Sequence, residues 1–281
     1  FSSRSRNTRF GFKSRGLGDV YKRQVLALPS EDDMAQTLHA SGVTPDPTAI
    51  HAARRALTAA IAERCEATMA ALYAQMDVSG SYKPDAEAAG RRALRGVAQR
   101  LLAERDGGAR AAEQFSMADN MTDQLGAFST LLAIGKGEAA TQSFFDQWSD
   151  DRLVMDKWFA LQVAHAAPET AADTCKRLTE HGDFDWKNPN RFRSVIGALT
   201  MNAAGFHDPS GASYRLLADW LIRLDPLNPQ TAARLTTAFE TWARYDADRQ
   251  ALIRGELERI AGSRDLSKDT GEMVGRILGA A

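Results

Sequence analysis

NPNRFRSVIGALTMNAAGFHDPSGASYRLLADWLIRLDPLNPQTAARL, residues 188–235, holds two segments of the same form, and each opens with Asn-Pro and carries an arginine about one turn later. Asn before Pro is typical of a helix start, because the Asn side chain caps the first turn and proline suits the first helical position. Prolines recur at positions 168, 189, 209 and 229, behind possible caps at Asn188, Asp208 and Asn228. Their spacing of 21, 20 and 20 residues predicts one helix and its turn in each interval. Two intervals make a helix pair of about 40 residues, the size of HEAT-like repeats.

Apolar residues recur at helical spacing from Val25 almost to the C-terminus, and runs of β-branched residues are absent there. Helix pairs of this kind cannot bury their inner faces alone, so neighbouring pairs stack into a curved array. We therefore expect residues 25–281 to form one all-α domain, a superhelical, HEAT-like two-layer array of antiparallel helix pairs. Its concave side would be a ready surface for a ligand or a partner.

Capping residues place further helices outside the proline-spaced region. Asp46-Pro47 predicts the start of a long first helix, which keeps one apolar face as far as Met76. Pro84 opens another helix, and Gly107-Gly108 supplies its left-handed end. Two final helices are expected over residues 247–261 and 268–278.

The composition is that of a globular chain, with 44% hydrophobic and 25% charged residues and a formal net charge of -1. So balanced a charge selects neither nucleic acid nor an anionic membrane as a partner. Cys65 and Cys175 lie outside any C-x-x-C or zinc-like spacing, and both are expected to be reduced, buried thiols. The sequence shows no run of 18 apolar residues and no apolar signal segment, so we expect a cytoplasmic location.

Residues 1–24 differ from the rest of the chain, because they carry seven Lys or Arg residues against the single Asp19. They show no apolar period of either 2 or 3.6 residues, so we expect a disordered or non-native leader. The alternative is a basic arm for nucleic acid, whose affinity would collapse with salt.

No known catalytic or metal-binding motif is present. The chain lacks a phosphate-binding loop, a dinucleotide-binding glycine motif and a nucleophile elbow. No two histidines share the i, i+4 spacing that places a zinc-binding pair on one helix face. The histidines are His39, His51, His165, His181 and His207. We expect no catalytic and no metal-ligating residue in this chain.

Arg193 and Arg234 are the candidate binding residues, because they lie 41 residues apart, one repeat, at nearly equal depth in their helices. If the repeats stack in register, both guanidiniums project onto the same side of the array, where the helix N-termini add partial positive charge. Two such planar donors suit a carboxylate. The alternative is a pair of solvated or ion-paired surface arginines.

The run LVMDKWF, residues 153–159, allows two interpretations. Trp158 and Phe159 could form a platform for a ligand. An amphipathic helix with its aromatic side in the core is favoured, because helically spaced apolar residues are usually buried.

Six segments carry a family resemblance. They are LALPSE (26–31), NMTDQL (120–125), LVMDKWF (153–159), NPNRFRS (188–194), NPQTAARL (228–235) and RYDADRQ (244–250). Together they resemble, nearly end to end over residues 25–281, the C-terminal helical domain of bacterial aminopeptidase N. Residues 1–24 resemble nothing in that family.

The resemblance implies a four-domain enzyme that removes N-terminal residues from peptides. Its thermolysin-like domain binds zinc through an H-E-x-x-H helix and a downstream Glu. No H-E-x-x-H motif occurs in this chain, which is therefore expected to hold no cofactor and to be inactive alone. The implied partners are the catalytic domain of the same polypeptide and peptide substrates. The implied role is to cap the active site and line the substrate chamber.

Carried over by position, the resemblance implies that Arg193, Gln230 and Arg234 face this chamber and contact the substrate beyond the scissile bond. The arginines would meet the C-terminal carboxylate of a peptide. The alternative function is a stand-alone helical-repeat scaffold that binds another protein on its concave side. A reading frame with H-E-x-x-H directly upstream of Val25 would favour the enzyme, and a native start codon there would favour the scaffold.

Overall fold

The computed structural model describes residues 28–78, 80 and 82–279, and every regular element within these ranges is helical. In chain order the α-helices are α1 (Glu31–Ala40), α2 (Pro47–Arg64), α3 (Glu66–Gln75), α4 (Ala86–Asp106), α5 (Ala109–Met117), α6 (Met121–Ala133), α7 (Glu138–Trp148), α8 (Arg152–Ala164), α9 (Ala171–Thr179), α10 (Pro189–Phe192), α11 (Ala198–Met201), α12 (Ala203–Phe206), α13 (Ala212–Leu224), α14 (Pro229–Thr236), α15 (Ala247–Ala261) and α16 (Lys268–Gly279). The predicted all-α fold is confirmed. The leader predicted at residues 1–24 lies outside the described residues.

Both predicted Asn-Pro helix starts form as expected. The Asn188 side chain accepts a hydrogen bond from the backbone N–H of Asn190 at 3.0 Å, and Pro189 occupies the first position of α10. The Asn228 side chain accepts from the backbone N–H of Thr231 at 3.1 Å, ahead of α14. These side chains satisfy backbone donors that the first turn of a helix leaves free.

The other two prolines do not start α-helices, so the expectation of one helix per interval is wrong in detail. Pro168 opens a short 3-10 turn, Pro168–Thr170, before α9. The Asp208 carboxylate accepts from the backbone N–H of Ser210 at 3.0 Å and so caps a turn that contains Pro209. Helix α13 begins only after Gly211, whose φ of +65° is a conformation that glycine adopts without strain.

The interval after Pro189 holds a broken helix. A π-helical turn, Arg193–Gly197, joins α10 to α11, and Asn202 then ends the run before α12. The Asn202 amide donates to the carbonyls of Val163 and Ala166 at 3.1 and 2.9 Å, while its oxygen accepts from the backbone N–H of Gly205. Its side chain is therefore used to join two repeats and to cap α12.

The long first helix predicted from residue 48 to 76 is interrupted. Cys65, with φ -108° and ψ 10°, ends α2 and precedes α3. A helix that the sequence did not predict, α1, comes before both and begins with a capping box between Ser30 and Asp33. Gly107 ends α4 with φ +63° as predicted, and the two final helices form within one residue of their expected bounds.

The helices form two layers, as predicted. One layer contains α4, α6, α8, α10 with α11, α14 and α16, while α9, α13 and α15 are neighbours in the other. Within the first layer α10 and α11 run parallel to α8, because Arg191 of α10 meets Asp156 near the start of α8 and Asn202, after α11, meets its end. Paired helices run antiparallel, as when Trp148 at the end of α7 donates to Gln124 near the start of α6.

One continuous core joins the repeats from α5 to α16, and a smaller apolar cluster lies between α3 and α4. The large core is rich in fully buried rings, which include Phe128, Phe144, Phe159, Phe192 and Tyr214. The N-terminal helices α1 and α2 fold back onto the array, since both contact α12. No helix in the described part of the chain is long and apolar enough to cross a bilayer.

Candidate functional site

Arg193, the first residue of the π-helical turn, is exposed and held by the start of its own helix. Its Nε donates to the carbonyl of Pro189 at 3.1 Å, and its Nη2 donates to the Asn190 side chain at 2.7 Å. Three of the guanidinium's five donors stay free of these two bonds, since a guanidinium carries five N–H groups. The fork is therefore oriented by the chain and still able to bind a ligand.

Gln230 and Arg234 are both exposed on α14, where they are the second and sixth residues of the helix. Among the residues that the structure describes, none forms a hydrogen bond or an ion pair with the Arg234 guanidinium. An exposed cation with no carboxylate partner can pair with an anion from outside without first losing an ion pair.

Gly197 marks the place where the two arginine-bearing helices meet. A Cβ atom built on Gly197 would lie 3.5 Å from the Cβ of Arg193 and 3.9 Å from Cδ2 of Leu235, the residue after Arg234. The stem of Arg193 and the side chain of Leu235, the neighbour of Arg234, thus border one inter-helix contact. The structure places α10, α11 and α14 in neighbouring positions, as register stacking requires, and the prediction that the two guanidiniums bind one carboxylate stays a prediction.

Arg191, two residues before Arg193, was missed as a key residue by the sequence analysis. Its side chain is only 6% exposed, and its Nε donates to Asp156 at 2.6 Å. Its Nη1 donates to the carbonyl of Asp183 at 2.6 Å, and the guanidinium lies 4.7 Å from the ring centre of Phe159. Arg191 is an anchor between repeats, which leaves Arg193 as the arginine of this segment that faces solvent.

Trp158 and Phe159 are core residues, as the favoured interpretation held. Their exposed fractions are 5% and 0%, and they pack edge to face with ring centres 4.9 Å apart. The indole N–H of Trp158 donates to the carbonyl of Thr141 at 2.9 Å. With both rings buried and the indole satisfied, no aromatic ligand platform exists at this position.

A strongly perturbed titratable group, His207, lies in the core near α15. Burial, together with the positive charges of Arg244 and Arg249, lowers the pKa of His207 to about 3. Its Nδ1 lies 2.7 Å from the Tyr214 hydroxyl, and burial raises the pKa of Tyr214. His207 therefore stays neutral at ordinary pH and serves as a structural hydrogen-bond partner.

Burial also lowers the pKa of His165, and nearby Arg100 lowers it further. Its Nε2 lies 2.8 Å from the Ser129 hydroxyl. Within the described ranges, no three His, Cys, Asp or Glu side chains are grouped so that they could hold a metal ion.

A family model described as a domain of unknown function (DUF3458_C) with ARM repeats matches residues 11–279. The chain belongs to this family. The ARM-repeat description of the DUF3458_C domain agrees with the two layers of helices seen here, so the predicted helical-repeat architecture is confirmed.

Curated relatives connect this DUF3458_C domain to aminopeptidases. The chain is 40% identical over 266 residues to aminopeptidase N of Caulobacter vibrioides, which covers 92% of this chain and 30% of that protein. It is 36% identical over 261 residues to aminopeptidase N of Escherichia coli, covering 91% of this chain and 29% of that protein. The chain thus spans less than a third of the length of these relatives. The predicted resemblance to the helical domain of aminopeptidase N is confirmed.

A solved structure supports the same relationship. The chain matches the crystal structure of Legionella pneumophila aminopeptidase A in complex with aspartic acid with a TM-score of 0.84 and 28% sequence identity. The match covers 94% of this chain and 32% of that one. The DUF3458_C fold therefore occurs in these longer aminopeptidases as one part of the chain.

Proposed function

We propose that this chain is the non-catalytic, C-terminal helical domain of a zinc-dependent aminopeptidase that removes N-terminal residues from peptides. In this proposal the domain caps the active site and lines the substrate chamber. The observation that supports it best is the match of more than nine-tenths of this chain to about 30% of two proteins named aminopeptidase N. The cytoplasm is the proposed location, which fractionation of cells expressing the intact protein would test.

The proposed substrate contacts are Arg193, Arg234 and Gln230. Both arginines are exposed, and each lies within the first two turns of its helical segment. Arg193 and Leu235, the neighbour of Arg234, border the contact at Gly197. A peptide that is cleaved at its N-terminus ends in a free carboxylate, which is the group that guanidinium forks bind best. Gln230, four residues before Arg234, would donate its amide to the peptide backbone.

The proposed zinc has no place among the described residues of this chain, since they contain no suitable group of ligands. A zinc ion would polarise the scissile carbonyl and activate water, and it would be bound by the catalytic domain of the same polypeptide. The residues of this chain would bind and orient the end of the substrate that lies away from the reacting bond.

The test uses a chimera in which this chain replaces the corresponding part of the Caulobacter vibrioides aminopeptidase N. Arg193→Ala and Arg234→Ala should each raise the KM for a tripeptide about tenfold, the loss expected for one hydrogen bond between charged groups. An aminoacyl anilide has no free carboxylate, so its KM should not change. Arg215→Ala is the matched control, because Arg215 is exposed on α13 of the other layer.

Equal effects of the two variants on the tripeptide and the anilide would contradict substrate contact and assign the arginines to the fold. Hydrolysis of the anilide by the isolated chain in the presence of zinc would contradict the non-catalytic role. The scaffold alternative requires that the intact gene encode no catalytic part, which its upstream sequence decides.

A further inference from the structure

The segment RYDADRQ, residues 244–250, has no part in the proposed substrate site, and it contains two arginines whose side chains are each only 9% exposed. Arg244 donates through Nη2 to the carboxylate of Asp32 and, at 2.7 Å, to the hydroxyl of Tyr245. Asp32 lies in the first turn of α1, at the other end of the chain. A buried cation near the C-terminal repeats is thus neutralised by a carboxylate from the N-terminal segment.

Arg249 makes a second connection of the same kind. Its Nη1 pairs with Asp246 at 2.6 Å, its Nε donates to the carbonyl of His207 at 2.7 Å, and its Nη2 lies 3.8 Å from Asp46. Asp46 caps α2 by accepting from the backbone N–H of Thr48. The two carboxylates that reach these arginines from the N-terminal part of the described chain therefore stand at the beginning and the end of one segment, residues 32–46.

Apart from the two buried arginines, this segment is held by weak apolar packing and by polar contacts to α2, where His51 lies 2.7 Å from Glu31 and Arg54 donates to the carbonyl of Pro29 at 3.0 Å. Within residues 28–46 only Ala35 and Pro45 are buried, and the apolar contacts of α2 with the array begin at Pro47 and Ile50. Burial of two small side chains contributes little compared with a core helix. The buried Arg244, in contrast, has no other carboxylate partner among the described residues, and its Nε is buried without a hydrogen bond. Loss of the Asp32 carboxylate would leave that charge buried and unpaired, which is costly.

We propose that residues 28–46 form a strap, latched by Asp32 on Arg244 and Asp46 on Arg249, that opens as a unit when the latch is weakened. The Asp32 side chain is 63% exposed, so salt reaches the latch from the Asp32 side. The strap leads from residue 28 into α2 and contacts α12 through α1. If a catalytic domain is joined to this chain as proposed above, the latch fixes how the array of helices is oriented relative to that domain. The latch itself rests on the geometry of this chain and not on that function.

Hydrogen exchange of the whole chain, followed by mass spectrometry of its peptides, tests the strap. Asp32→Asn and Arg244→Gln should each speed exchange of the α1 amides about tenfold or more, while α13 and α15 keep their protection. Because both variants break the same contact, the α1 amides of the double variant should exchange no faster than those of either single variant. A high concentration of sodium chloride should raise the α1 exchange rates of the unsubstituted chain towards those of the variants.

Asp248→Asn is the matched control, because it removes an exposed carboxylate from α15 that lies outside the latch. Asp46→Ser keeps a capping side chain while it removes the charge facing Arg249, so it should speed α1 exchange without fraying α2. Unchanged α1 exchange in both Asp32→Asn and Arg244→Gln would overturn the proposal. Equal loss of protection in α1 and α15 would also overturn it, since the two would then open together. If Arg244→Gln fails to fold, Asp32→Asn carries the test, because its carboxylate is mostly exposed.

Discussion

Arg191 and Asp156 form an ion pair across two neighbouring repeats, with 2.6 Å between Nε and Oδ1. The two residues are 35 positions apart in the chain, and they lie in two of the six segments that carry the family resemblance. Nη1 and Nη2 of Arg191 each donate a further bond, to the carbonyls of Asp183 and Arg152 respectively. This pair fixes the register between α8 and α10, and so the position of Arg193 on the surface.

Asp156→Ala should therefore destabilise the domain by about 3 kcal/mol, the cost of leaving a buried guanidinium without its carboxylate. Arg193→Met, at an exposed position two residues along the chain from Arg191, should change stability by less than about 0.5 kcal/mol. Urea unfolding followed by circular dichroism measures both. Similar losses in the two variants would mean that Arg193 also anchors the fold.

Two glycines of the same region should respond to alanine in opposite directions. Gly197 has helical angles, φ -66° and ψ -34°, and an added Cβ finds neighbours at ordinary contact distance. Gly197→Ala should stabilise the domain by about 0.5–1 kcal/mol, because alanine loses less backbone entropy in a helix. Thermal melting would show this as a small increase in Tm.

At Gly205 an added Cβ would lie 2.5 Å from the Cβ of Ala171 and 3.0 Å from the Asn202 side chain. Gly205→Ala should therefore destabilise the domain by about 1–3 kcal/mol, since the helices must move apart. A Tm that rises in Gly205→Ala, or falls in Gly197→Ala, would show that the packing here differs from the one described.

His207 should make the domain sensitive to acid. Its pKa is about 3 in the folded chain and near 6.5 in the unfolded chain, so the unfolded state takes up an extra proton between these values. Stability is thus fully present above about pH 6.5 and falls as the pH drops towards 3, at up to about 1.4 kcal/mol per pH unit. His207→Gln should remove the part of this pH dependence that comes from the uptake of about one proton on unfolding. Urea unfolding at several pH values between 7 and 4.5 measures it. An identical slope in both proteins would contradict the burial of a neutral His207.

The two cysteines should differ in reactivity, although both were predicted to be buried. Cys175 is fully buried and burial raises its pKa, while Cys65 is half-buried at the junction of α2 and α3. A thiol reagent should therefore label Cys65 in the native domain and reach Cys175 only after unfolding. Equal rates in native buffer would show that the region around Cys175 opens readily. Cys65→Ser supplies the control for assigning the fast phase.

Local signals in the sequence predicted those parts of the fold that depend on local chemistry. The caps at Asn188 and Asn228 and the glycine end of α4 are contacts within a few residues, so their residue types are enough to place them. The burial of Trp158 followed from helical periodicity for the same reason.

The remaining features depend on contacts that local reasoning cannot reach. At Cys65 the chain passes from α2 to α3: α3 packs against α4, and α2 contacts both α4 and α12. Arg191 and Arg193 stand two residues apart with the same chemistry, and only the distant carboxylate of Asp156 makes one an anchor. The π-helical turn after Phe192 likewise has no residue that marks it in the sequence.

The contact between Asp32 and Arg244 joins residues that are 212 positions apart. In an open solenoid each repeat touches only its neighbours, so a growing chain can fold unit by unit as it is made. Here the Asp32 contact of α1 cannot form until Arg244 has also left the ribosome, although α1 can already lie against α2. Helix α1 therefore completes its native contacts late in the synthesis of the domain, and a chain that stops before Arg244 would leave the Asp32 carboxylate without its arginine.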